Sequence, residues 1–478
     1  MDRRNFLMFG GGAALAGGAG WLALSRNTPR SAQQASSLEA STVNAIGNRA
    51  PVDRFDLRIA PMRLEIAPNR MIETIGYDGG SPGQVLRMRS GVPTAVDVRN
   101  DTDRPELVHW HGQHLPAAVD GAHEQGTPPV PARGQRRYIF LPGPSGTRWY
   151  HSHGMSEGGR LGGLYTGQQG IVLVQPRGDP GAYDREVLLI THDWDKLLEK
   201  TDGENGAGKP AFSINGRSLG HGEPVRVRPG ERILFRIVNG NAEDEVRLSL
   251  PGHRFHIVAL DGNPVPRPQP VDFLRLGSGE RIDAIVEMTS PGIWVLGDVR
   301  DDRRNRGMGV VVEYSGQSGA PNWRSPATKR WNYLAFGEAG AVPTPDATIE
   351  LIFDKGPAES RSRGNEGGQA ASGGDAWRIN GQPFWKQQPK KLNLGWRYRL
   401  VFRDRSGKLH PLHLHRHSFE LVAIDGQQTS GIIKDTVCIE PNGSVEVDFV
   451  ADQKGLSLFH CHMQNHMDNG FMSLFDTI

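Results

Sequence analysis

The sequence predicts an all-β protein made of three consecutive Greek-key sandwich or barrel units. Three observations carry that expectation. The 478-residue chain holds 61 Gly and 33 Pro and breaks into many short alternating runs, as strands joined by turns do. One order of elements recurs three times, in units of about 130 residues, a size that suits such a domain. No amphipathic helix of ordinary length stands out.

The elements follow in order. Arg3-Arg4-Asn5-Phe6-Leu7 precedes a Gly/Ala-rich apolar stretch, and that pairing reads as a twin-arginine (Tat) export signal. The stretch is too short and too glycine-rich to span a membrane. With the Ser/Ala/Gln/Asn-rich residues after it, it makes a signal and flexible leader over 1–50. The first unit, 51–178, contains the strand-like runs Thr94–Val98 and Gly170–Val174. The second, 179–318, holds Glu186–Ile190, the turn Asn215-Gly216, and the runs Arg232–Val238 and Phe255–Leu260. A proline-bearing connector, 319–344, leads to the third unit, 345–478. There the order returns: Asn380-Gly381, then Tyr398–Phe402, then Phe419–Ile424. Val258–Gly262 and Val422–Gly426 form the clearest echo. The Gly-, Ser- and charge-rich insert 356–376 buries little apolar surface and is expected to be mobile.

Composition narrows the function. Apolar content of 37%, charged content of 23% and a net charge of +2 fit a soluble globular protein with no strong field for nucleic acid. Cys438 and Cys461 are the two cysteines. Cys438 lies in a strand-like run and reads as a small buried hydrophobe.

The histidines carry the chemistry. Thirteen of the 17 fall in the four segments His109–His123, His151–His153, His410–His417 and His460–His466. His109/His111, His151/His153, His413/His415 and His460/His462 are i, i+2 pairs, which share a face of an extended strand. Eight imidazoles are thereby able to converge. His410, Cys461 and His466 remain, and two His with one Cys form the trigonal set of a blue-copper site. Cys461 faces opposite to His460 and His462, so one strand serves two centres a few bonds apart. Structural zinc fits poorly, because it prefers closed four-ligand sites, often with paired cysteines.

These motifs, in this order and at these spacings, resemble the multicopper oxidases, the family that includes laccases, over nearly the whole mature chain. The resemblance implies three cupredoxin-like domains, four copper ions, and reduction of dioxygen to two waters with electrons taken singly from a small reducing substrate. It implies a type 1 copper on His410, Cys461 and His466. A type 2 copper falls to His109 and His413. A type 3 pair falls to His111, His151, His153, His415, His460 and His462. His460, Cys461 and His462 then carry electrons between centres. The family's axial methionine position, ten residues after the cysteine, is here Phe471, which cannot coordinate. Met472 becomes the alternative only through a one-residue slip, which reverses the face. Asp120 stands where relatives carry an aspartate that serves oxygen reduction, although Asp-Gly is also a turn signal. Relatives with a Glu directly after the last histidine have no match here, since Met467 and Asp468 follow His466.

His417 continues the His413/His415 series on one face. His114 and His123 read as nearby or exposed residues, and His192, His221, His253 and His256 as structural or exposed. Laccase-like oxidation of phenols or aromatic amines is the leading expectation. Oxidation of cuprous, ferrous or manganous ions is the second, although the chain has 11 Met and no Met-rich insertion. A copper nitrite reductase fits badly, lacking the His-Cys-His bridge, and a copper-free cell-envelope scaffold is the remote alternative. A Tat signal implies the export machinery as a partner, a periplasmic or secreted location, and no stable membrane span after export.

Overall fold

The computed structural model describes residues 41–156, 161–175, 183–202, 208–327, 331–340, 342–357 and 375–478. The segment expected to be an export signal therefore lies outside the described residues, as does nearly all of the 356–376 insert. Residues 356, 357, 375 and 376 belong to a strand pair, Ala347–Pro357 with Asp375–Ile379. Part of the segment expected to be a flexible leader is strand. Ser41–Asn44 forms a strand parallel to Gln135–Phe140, where the edge of the sheet offers it unpaired backbone groups.

Six sheets make three cupredoxin-like sandwiches. One five-stranded and one four-stranded sheet come first, and two pairs of a six- and a five-stranded sheet follow. The internal echo has a structural cause. In both six-stranded sheets the third-unit strands repeat the second-unit order, including a parallel pair: Arg185–Asp193 with Arg232–Asn239, and Ala347–Pro357 with Arg397–Asp404. Both carry a β-bulge at the same place, between Ile257 and Ala259 and between Leu421 and Ala423. After each bulge the chain turns through a positive-φ aspartate, Asp261 or Asp425, and a positive-φ glycine. The repeated Val-Ala-x-Asp-Gly letters encode that bulge and turn.

The connector is not featureless. Tyr333–Phe336 forms a 3-10 turn whose Tyr333 and Phe336 are buried. Cys438 is buried as expected, but its thiol also donates to Glu280 Oε2 at 3.4 Å. No helix among the described residues is long and apolar enough to cross a membrane.

A candidate metal centre between the first and third units

Strands of two units bring the histidines together. His109–His111 pairs antiparallel with Gly146–His151, which sets His109 opposite His151. In the third unit His410–Leu414 pairs with Gly455–Cys461, which sets His413 opposite His460. Buried side chains from these two ladders meet as trios: His111, His151 and His462; and His153, His415 and His460. His109 and His413 lie together beside His111. A separate buried trio joins His410, Cys461 and His466. All eleven residues proposed from the motifs thus fall into these groups. At the end of the strand Gly455–Cys461 the side chains part: His460 and His462, the residue just past it, reach the two imidazole trios, and Cys461 turns to the third trio.

Hydrogen bonds fix which nitrogen of each ring is free. His109 Nδ1 donates to the Asp120 carbonyl at 2.8 Å and His413 Nδ1 to the Asp435 carbonyl at 2.7 Å. Their Nε2 lone pairs then face each other at 3.4 Å. His415 Nδ1 donates to Asp120 Oδ2 at 2.7 Å and His460 Nδ1 to the Cys461 carbonyl at 2.9 Å. Their Nε2 atoms are 3.0 Å apart. His111 is reversed: Nε2 donates to Asp435 Oδ1 at 3.0 Å, and Nδ1 faces His462 Nε2 at 3.2 Å. Neither nitrogen of His153, nor Nε2 of His151, has a hydrogen-bond partner among the described residues. Converging buried lone pairs repel one another unless a cation sits between them, so this donor set fits metal ions.

Protonation agrees. Burial, and then the neighbouring rings, hold His111, His153, His415 and His462 well below the ordinary value of 6.5. Burial takes His460 down to about 3. These rings are neutral donors at pH 7, as metal ligation requires.

In the third trio His410 Nδ1 and His466 Nδ1 are 3.1 Å apart, and Cys461 Sγ lies 3.7 and 3.3 Å from them. Burial pushes the Cys461 thiol well above its ordinary value of 9.0, so a bound cation is what would remove its proton. His410 Nε2 is held by Ser406 Oγ at 2.7 Å. Phe471 is fully buried, with its ring centre 4.8 Å from that of His410. Met472 packs with Leu458, Met467 and Ala122 instead. Trp377, which the motifs did not single out, covers His466 at 4.0 Å between ring centres.

Asp120 is fully buried. Its Oδ2 accepts from His415 and from Gln125 Nε2 at 2.7 Å, and its Oδ1 has no partner among the described residues. Asp468 hydrogen-bonds to Gln464 at 2.8 Å, and burial raises it to about 6. The face shared by His413 and His415 does not extend to His417. The strand ends at Leu414 and Arg416 then adopts φ 67°, so His417 turns to Asp452 and Phe449. His114 bonds Ser418 Oγ at 3.0 Å and stays out of every trio.

Sequence reasoning missed Asp435, Arg281 and Ser278. Ser278 Oγ lies 3.0 Å from His462 Nδ1. Gly279 has φ +87°, and a Cβ there would come within 2.8 Å of the His462 ring. These residues lie in the second unit or between strands, away from any histidine motif.

Comparison with known proteins covers most of the chain. Three family profiles described as multicopper oxidase match residues 60–179, 186–312 and 357–478. The chain is 29% identical to the multicopper oxidase MmcO of Mycobacterium tuberculosis, across 87% of this chain and 86% of that protein. It is 27% identical to Laccase-2 of Podospora anserina, across 76% of this chain and 68% of that one. A multi-copper oxidase structure from Pseudomonas thermotolerans aligns with TM-score 0.69 and 26% identity, covering 90% of this chain and all of the other. The chain belongs to the multicopper oxidase family.

Proposed function

We propose a laccase-like oxidase with four coppers, exported by the twin-arginine route to the periplasm or outside the cell. The carrying observation is the convergence of buried imidazole lone pairs on three centres beside a separate Cys/His trio. His410, Cys461 and His466 would hold a type 1 copper, His109 and His413 a type 2 copper, and the two imidazole trios a type 3 pair. Copper in these places would cycle between +1 and +2 and supply the electrons that reduce dioxygen. The chain's own part is placement. The His460-Cys461-His462 backbone joins the thiolate site to both trios through a few covalent bonds. Burial keeps bulk water off the rings, and Asp120 orients His415 while keeping one carboxylate oxygen unengaged.

The test is copper content, a blue absorption band, and oxygen uptake with one dioxygen consumed per four electrons from a phenol. A purified, copper-supplied chain with no bound copper and no band would overturn the reading and revive the scaffold alternative. One observation favours a second substrate. Met155 packs against the buried cluster that holds Met467 and Met472, and Asp468 accepts from Ser156 N at 3.4 Å. Thioethers beside His466 suit a cuprous ion. A faster rate on cuprous ion than on a phenol would shift the assignment to a metal oxidase.

Two substitutions probe the roles assigned to single residues. Phe471 packs its ring 4.8 Å from that of His410; a methionine there would offer a thioether to the oxidised ion, so Phe471→Met should lower the type 1 potential. A tenfold shift in the one-electron equilibrium, about 60 mV, is the expected scale, and an unchanged potential in redox titration removes Phe471 from the axial position. Asp120→Asn should slow oxygen reduction by about 10²–10⁴ if its carboxylate handles protons. Stopped-flow bleaching of the blue band by substrate should stay normal, and equal slowing of both steps would count against that role.

A further inference from the structure

We propose that Asp435, clamped by Arg281, is a positioning residue that selects Nδ1 of His111 as its metal-binding atom. The proposal rests on the copper reading above and adds a residue outside the histidine motifs. Among the rings with a contact across the cluster, His109, His413, His415, His460 and His462 present Nε2, whereas His111 presents Nδ1. A neutral imidazole exposes Nδ1 only when its proton sits on Nε2, and that proton needs a buried acceptor. Asp435 Oδ1 is that acceptor at 3.0 Å, with Thr436 Oγ1 at 3.2 Å.

The carboxylate is held in turn. Arg281 donates a two-pronged pair, Nη1 to Oδ1 at 2.6 Å and Nη2 to Oδ2 at 2.5 Å, and both side chains are fully buried. Such a fork fixes direction as well as distance. Arg281 is itself held by the carbonyls of Thr147, Gly279 and Asp261 at 3.3, 3.1 and 3.1 Å. Arg148 adds a second cation 3.5 Å from Oδ2. The same aspartate steers a second ring, because its carbonyl accepts from His413 Nδ1 at 2.7 Å. His111 and His413 stack at 3.8 Å and 11°, so one residue sets both members of the stack.

A glycine gives independent support. Gly112, next to His111, has φ +80°, and a Cβ there would fall 2.5 Å from Arg281 Nη2 and 2.6 Å from Asp435 Oδ2. The chain is bare where the clamp passes. Asp120 differs: among the described residues it has no Arg or Lys within ion-pair distance. The two carboxylates that orient cluster rings are therefore unlike, one locked by a guanidinium and one not.

The test compares copper-loaded wild type with Asp435→Asn. Copper retained at the trinuclear cluster under chelator challenge should weaken about 10- to 100-fold. The electron paramagnetic resonance signal of the type 2 copper should change, while the blue band stays. The unchanged band separates this proposal from the copper reading, since wild type without copper defeats that reading alone. Normal copper retention with an unaltered type 2 signal overturns the positioning role. Should Asp435→Asn fail to fold, Arg281→Lys keeps the charge and removes the fork. It should shift the same signal in the same direction by less, and an unshifted signal overturns the proposal equally.

Discussion

Cys461→Ser is expected to reduce oxidase activity to background while leaving the fold in place. Serine is nearly isosteric with the fully buried cysteine, so no cavity opens. Its hydroxyl does not ionise as a thiol does beside a soft cation, and it gives copper a hard ligand where a soft one is wanted. His410 and His466 remain 3.1 Å apart, yet two imidazoles without the thiolate lack the donor that defines the site. Copper per chain should fall by one, the blue band should vanish, and oxygen uptake with a phenol should cease. Retention of the band in the serine variant would show that the colour arises elsewhere.

Gly121→Ala is expected to be severely damaging while leaving every ligand letter intact. Gly121 sits at φ +105°, and a Cβ there would lie 2.0 Å from the Val108 carbonyl and 2.4 Å from His109 Cα. Both atoms are backbone, so the strand bearing His109 has to move. Left-handed backbone costs a residue with a Cβ about 1–2 kcal/mol, and forcing extra atoms into packed structure costs about 1–3 kcal/mol. A loss of about 2–5 kcal/mol is the expected sum, read from the denaturation midpoint of the copper-free protein. Gly126 is the control: its φ is +92°, but a Cβ there meets nothing within 4 Å, so Gly126→Ala should show the backbone part alone. Equal losses at the two positions would remove steric contact with His109 from the account.

The letters of the chain carried the centre further than the fold around it. His-x-His on a strand is a local geometric statement, since pleating alone puts both rings on one side, and such pairs read directly. His417 did not follow, because one left-handed residue, Arg416, ends the series and the pattern carries no sign of it. Arg281 and Asp435 stand 154 positions apart, and only the packing of the second unit against the third joins them. Asp120 was visible through the family resemblance, whereas its unengaged oxygen is visible only in the folded chain. Ser41–Asn44 read as leader because polar, small residues carry little strand signal, and an open sheet edge recruits them regardless.

The rings of the cluster come from residues 109–153 and 413–462, and facing nitrogens belong to residues as far as 351 positions apart. During synthesis the early half of the cluster exists long before the late half. A chain cut anywhere before His460 completes neither the thiolate trio nor either imidazole trio. Loading of all the centres is thereby a check on the last strands: only a chain that carries them has both imidazole trios and the thiolate trio to offer.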